Sequence, residues 1–233
     1  MASTITAAVS TPEEFIEKVQ QRTAKIGIIG LGYVGLPLAL LFSGKNFAIT
    51  GFDIDARKVN TLLQGGSYIV RIEAGEIQAA RQAGFTPTSD FARISEMDAV
   101  IICVPTPLDE YRQPDLSYIT KTAEAIAPHL RPGQLIVLES TTYPGTTEEV
   151  LIPILEKQNR MALKASRNGA AADFYVAFSP EREDPGNTDV ARHDIPKVIG
   201  GLDKSASAMY FFIQFQTYLD HGSRRRICQK VPF

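Results

Sequence analysis

Gly30, Gly32 and Gly35 stand in a GxGxxG spacing directly after the apolar run KIGII. Where a strand turns into a helix, each glycine has its own task. The first permits the tight turn, the second lets the backbone approach a pyrophosphate, and the third lets helix and strand pack closely, with helix N–H groups aimed at the phosphates. Asp53 follows about 20 residues on, at the end of the next apolar run, where a carboxylate can accept hydrogen bonds from the hydroxyls of an adenosine ribose. It would repel a 2′-phosphate, so the pattern predicts NAD rather than NADP, with Arg57 and Lys58 nearby as the residues that favour the phosphate. The competing reading of Asp53 is a solvated cap for a helix beginning near Asp55.

Other groups able to do chemistry are sparse. Glu139 ends an apolar run, where it could serve as a catalytic carboxylate or equally bond loop backbone. Cys103 lies in a hydrophobic segment and reads as core, and Cys228 lacks a glycine-rich or histidine context. His129, His193 and His221 form no spaced group and read as surface residues, so no metal site is expected.

The elements that position these residues alternate. Thr11, Pro12 and Glu14 form a capping box that opens a short leading helix. Strand 26–29, a helix through Leu40 and strand 48–52 make one βαβ unit. Helix 55–63, a strand near Phe85, strand 99–103, helix 117–127, strand 134–138, helix 146–157 and strand 174–178 continue it. Strands separated by helices pair in parallel with right-handed crossovers. The expected fold class is α/β, a Rossmann-type doubly wound, mostly parallel sheet with helices on both faces. Residues 164–172, rich in Ala, Ser, Gly and Asn, read as a mobile surface loop.

Composition sets the boundaries. With 233 residues and 44% hydrophobic content the chain can bury a core. A net charge of −2 lacks the basic footprint of a nucleic-acid or membrane-surface binder. Two cysteines build no disulfide framework, no segment approaches the roughly 20 apolar residues of a membrane span, and the N-terminus lacks a signal pattern. A cytoplasmic setting is expected.

Three further segments lie just beyond expected strands: VPTPLDEYRQPDLS at 104–117, ESTTYPGTTEEV at 139–150 and FSPEREDPGN at 178–187. With GLGYVG at 30–35 and IPKVIGG at 195–201, the chain resembles the UDP-glucose/GDP-mannose dehydrogenase family from about Lys25 to about Lys204. The VPTPL and SPEREDPGN stretches are most similar to its bacterial branch, which acts on UDP-N-acetylglucosamine or related UDP-hexoses in polysaccharide synthesis. The resemblance implies that Tyr33 and Val34 line the pyrophosphate turn, that Asp53 and Lys58 hold the ribose region, and that Thr106 and Thr141 approach the nicotinamide. It further implies that Thr141 positions a water or the reacting oxygen, that Glu181 serves the hydrolytic step, and that Arg182 and Glu183 contact the UDP-sugar. The competing readings are N-cap or strand-end turn residues for the two threonines and a surface salt-bridge cluster for Arg182, Glu183 and Asp184. A second acidic residue that some relatives carry four positions after Glu181 is Pro185 here, so no role transfers to it.

The family oxidises a primary alcohol to an acid with two NAD, passing through a thioester on a cysteine. That cysteine lies in a GGHC-like segment beyond a long central helix, preceded by a lysine and an asparagine, and none of these occurs here. Residues 1–24 therefore read as a helical extension and 25–208 as the NAD-binding domain. Residues 209–233 read as a divergent tail, for which a frameshift near Ser223–Arg226 is one explanation. Phe211, Phe212, Phe215 and Tyr218 in this tail are expected either to expose apolar surface or to form an ordinary helix packed on the sheet. Full-length relatives are homo-oligomers through the central helix, so this chain is expected to be monomeric or poorly defined in its assembly. Two alternatives are a non-catalytic NAD-binding fragment and a hydroxyacid or 6-phosphogluconate-type dehydrogenase, the latter leaving ESTTYPGTT and SPEREDPGN unexplained.

Overall fold

Thr11 starts the first helix as its sequence indicates. Its hydroxyl accepts from the Glu14 N–H at 3.2 Å, and Glu14 accepts in return from the Thr11 N–H at 3.1 Å. The computed structural model describes residues 11–167, 173–180 and 197–218, and the backbone of a short strand at 228–229. Helix α1 (Pro12–Gln20) buries Phe15 and Val19 against a helix from the other end of the chain. Strand and helix then alternate: β1 (Lys25–Ile29), α2 (Gly35–Ser43), β2 (Ala48–Phe52), α3 (Ala56–Leu63), α4 (Ala74–Gln82), β3 (Thr86–Thr88) and β4 (Ala99–Ile102). They continue with α5 (Ser117–Ile126), β5 (Leu135–Leu138), α6 (Ile152–Gln158), β6 (Tyr175–Phe178), β7 (Val198–Gly201), α7 (Lys204–Tyr218) and β8 (Cys228–Gln229).

The sheet order is β3-β2-β1-β4-β5-β6-β7-β8, with the first six strands parallel. β7 runs antiparallel to β6. Side chains alternate across the sheet, so Ile26, Ile28, Ile101 and Val137 join α1, α2 and α7 in one core. Ile29, Val100, Ile102, Ile136 and Leu138 join α5 and α6 in a second core on the opposite face. The doubly wound α/β sheet that the alternation predicts is the one observed.

Three expectations are refined. The single helix expected over 146–157 is a π-helical turn, Thr146–Leu151, running into α6. Pro153 in the first turn of α6 has no N–H to give the carbonyl one turn back, so the tighter ladder cannot extend through it. Lys164 to Ser166, assigned to a mobile loop, are held against the start of β6, with the Ser166 N–H donating to the Phe174 carbonyl at 2.8 Å. The rest of that loop, 168–172, lies outside the described residues. Of the two readings of the aromatic cluster after Ala208, the packed helix holds. Met209, Tyr210 and Ile213 are buried, and among the described side chains of α7 only Phe215, at 38% exposure, is an exposed large apolar one. No helix among the described residues is long and apolar enough to cross a membrane.

Asp98, just before β4, ties the extension to the sheet. Its carboxylate accepts from Lys18 Nζ at 3.0 Å, the Lys25 N–H at 2.9 Å and Arg131 Nη2 at 2.8 Å. Burial works to raise its pKa, but the Lys25 N–H and the two cations outweigh it and hold the group below the ordinary carboxylate value. A depressed carboxylate stabilises the fold above its unfolded pKa, and this contribution is lost as pH falls through the folded value. Urea unfolding should therefore show stability declining below about pH 4. Asp98→Asn should cost about 2 kcal/mol at neutral pH and flatten that acid limb, and an unchanged limb would remove Asp98 from the role.

Candidate cofactor site

The chain leaves β1 through Gly30, which adopts φ +88° and donates its N–H to the Phe52 carbonyl at 2.8 Å. A Cβ on Gly30 would sit 2.6 Å from the Cys103 carbonyl oxygen, and one on Gly35 would sit 1.9 Å from the Gly30 carbonyl oxygen. Both positions exclude a side chain because backbone packs on backbone. Gly32 differs: a Cβ there meets nothing within 4 Å and would project into open space. No side chain caps the start of α2, so the turn presents an open cradle at the positive end of a helix, as a pyrophosphate requires.

Asp53 closes β2 and is 5% exposed. One carboxylate oxygen accepts from the Leu31 N–H within the glycine turn at 2.9 Å, and the other accepts from the Asp55 N–H at 2.9 Å. Lys58 Nζ lies 3.3 Å away. Asp53 is thus no solvated helix cap. That role belongs to Asp55, whose side chain accepts from the Arg57 N–H at the start of α3. Arg57 also turns its side chain onto Asp55 at 3.1 and 3.0 Å, and this hydrogen bonding holds the Asp55 pKa down to about 2. The two cations that could favour a 2′-phosphate are therefore each engaged by a carboxylate.

Tyr68 buttresses this half of the site from outside the cleft, and no local pattern in the sequence points to it. Its hydroxyl donates to the Leu31 carbonyl, and Lys58 Nζ stands 5.8 Å from its ring centre. Burial first, then the nearby Asp53 and Asp55, raises the tyrosine pKa above its ordinary value, so it remains a donor.

A cleft of about 640 Å³ runs from this turn to the carboxyl ends of β4 and β5. Tyr33, Val34 and Lys58 line it at one end, and Thr106 and Thr141 at the other. The two threonines, far apart in sequence, meet here: the Thr106 hydroxyl donates to the Thr141 carbonyl at 2.7 Å. Alongside, the Ser140 hydroxyl donates to the Val104 carbonyl at 2.6 Å. The loops after β4 and β5 are stitched into one wall.

Beside that wall, at the edge of the cleft, lies Glu139, which is 1% exposed. Its Oε1 accepts from the Tyr210 hydroxyl and from Gln214 Nε2 at 3.4 Å, and pairs with Lys197 Nζ at 3.1 Å. Its Oε2 lies 3.9 Å from Cys103 Sγ. Cys103 is core, as its surroundings in the sequence indicate, but it also borders the cleft. Glu181, Arg182 and Glu183 lie outside the described residues. The segment carrying them leaves from Ser179 and Pro180 at the carboxyl end of β6, next to the strand of Glu139.

In the parallel part of the sheet the strand order reverses between β1 and β4, and the cleft crosses that reversal. The fold and the glycine turn together define a Rossmann-type dinucleotide-binding domain. Comparison with known sequences narrows this class to one family. Residues 24–214 match the UDP-glucose/GDP-mannose dehydrogenase family, NAD binding domain, and the chain belongs to that family. Its cofactor is accordingly NAD. The match runs through the first eleven residues of α7, beyond Lys204, where the sequence motifs stop.

The chain is 38% identical over 177 residues to a UDP-N-acetyl-D-glucosamine 6-dehydrogenase of Pseudomonas aeruginosa, covering 76% of this chain and 40% of that protein. It is 41% identical over 177 residues to the enzyme of the same name from Salmonella typhi, covering 76% and 39%. Among solved structures, the NDP-N-acetyl-D-galactosaminuronic acid dehydrogenase of Methanosarcina mazei Go1 superposes with a TM-score of 0.74 at 30% identity, covering 90% of this chain and 45% of that one. The chain thus spans about two-fifths of the length of the curated relatives it matches.

Proposed function

We propose that this chain supplies the cofactor half of a nucleotide-sugar 6-dehydrogenase that oxidises C6 of UDP-N-acetylglucosamine to the uronic acid for polysaccharide synthesis, with UDP-glucose as the second substrate to test. The observation that carries the reading is the stitched wall of Thr106 and Thr141 at the far end of the NAD cleft, in a chain whose relatives are named for N-acetylhexosamine nucleotides. Bound NAD supplies the acceptor for the hydride removed from the substrate carbon. The protein's own residues do the rest. Asp53 and the glycine turn fix the adenosine and pyrophosphate. Thr106 holds the Thr141 loop so that the Thr141 hydroxyl, which can both donate and accept, orients the reacting oxygen or a water. Glu181 is assigned to orienting or deprotonating water in the hydrolytic step, and Arg182 and Glu183 to holding the sugar nucleotide.

The thiol step is a different matter. Cys103 is 9% exposed with its Sγ 3.9 Å from the Glu139 carboxylate, whose negative charge disfavours a thiolate nucleophile. The chain alone is therefore expected to bind NAD and to form no uronic acid from UDP-N-acetylglucosamine. Grafted in place of the matching region of the Pseudomonas aeruginosa relative, residues 24–214 should restore NADH formation, and Thr141→Ala in that graft should lower it about a hundredfold. A graft that folds and binds NAD yet oxidises no UDP-hexose would contradict the reading.

A further inference from the structure

The buried cluster behind the nicotinamide end of the cleft has a direction. Glu139 follows β5 and borders the cleft. Its cation, Lys197, precedes β7, two strands further from the switch point. Both are almost fully buried, at 1% and 5% exposure, so solvent screens neither charge well. Tyr210, Gln214 and Lys197 all bring donors to Oε1, an arrangement that suits a carboxylate anion. The pair is an oriented dipole whose negative end lies at the cleft wall, behind the Cys103 side chain.

A dinucleotide held by the glycine turn and Asp53 extends its other half across the switch point toward β4 and β5. The oxidised nicotinamide ring is a cation, and the reduced ring is neutral. We propose that Glu139 is a specificity-determining residue for the oxidation state of the cofactor, favouring NAD over NADH through its buried negative charge. The inference rests on the NAD cleft described above. It gives the Glu139 cluster a purpose in an oxidative enzyme, since product NADH is then held less tightly than the NAD that must replace it.

Calorimetric titration of the full chain with NAD and, separately, NADH tests this, because the ratio of the two affinities responds to charge at the nicotinamide and not to general loosening. The unmodified chain should bind NAD at least as tightly as NADH. Glu139→Gln should shift the affinity ratio toward NADH about tenfold, and the double variant Glu139→Gln/Lys197→Met, which removes both charges of the pair, should shift it in the same direction. Tyr210→Phe, which keeps both charges, should leave the ratio within about twofold. Equal weakening of both nucleotides in the Glu139 variants would overturn the inference. If those variants do not fold, tighter binding of NADH than of NAD by the unmodified chain overturns it, and the reverse order supports it. Failure of the unmodified chain to bind either nucleotide would instead overturn the cofactor reading beneath it.

Discussion

Gly35→Ala is expected to abolish NAD binding and to cost the fold about 3 kcal/mol. The new methyl would stand 1.9 Å from the Gly30 carbonyl oxygen. Gly30 cannot withdraw, since its N–H is bonded to Phe52 and its own Cα faces the Cys103 carbonyl. The start of α2 must therefore lift away from β1, and the cradle opens with it. Gly32→Ala provides the contrast. Its methyl meets nothing in the protein, so denaturant unfolding should change by no more than about 0.5 kcal/mol while NAD affinity falls at least about tenfold. If Gly32→Ala bound NAD normally, the open space at Gly32 would not be where the pyrophosphate lies.

Lys197→Met should be comparably damaging for a different reason. It takes the Lys197 cation away from the buried Glu139 carboxylate, and breaking a buried pair from one side costs about 3–5 kcal/mol. Tyr210 and Gln214 still donate to Glu139, which argues for the lower part of that range. The double variant with Glu139→Gln should recover most of the loss, because two residues in one network do not contribute additively. Urea midpoints for the single and double variants measure this, and additive losses would show that Lys197 stabilises the fold independently of Glu139.

Much of this was legible in the sequence wherever a pattern is local. The glycine spacing needs only a strand before it and a helix after it. The Thr11 capping box spans four residues, and Asp53 follows from the length of one βαβ unit. What escaped depends on contacts between distant segments. Helix α4 carries only two buried side chains, Ile77 and Ala80, too few to impose a readable apolar stripe. The role of Tyr68 exists only because its loop folds back over Leu31. Glu139 offered two local readings, and neither anticipates its partners Lys197, Tyr210 and Gln214, which come from just before β7 and from α7. The motifs give out near Lys204 while the family match continues to 214, because a helix that packs through Met209, Tyr210 and Ile213 needs apolar residues at the right spacing and no fixed signature.

The most direct measurement is a calorimetric titration of the purified chain with NAD and with NADP, beside an Asp53→Ala variant. NAD should bind, NADP should bind at least about tenfold more weakly, and Asp53→Ala should lose affinity for NAD through the missing ribose contacts and the freed Leu31 N–H. NADP binding as tightly as NAD, or an Asp53→Ala variant that binds NAD unchanged, would contradict the assignment of this cleft.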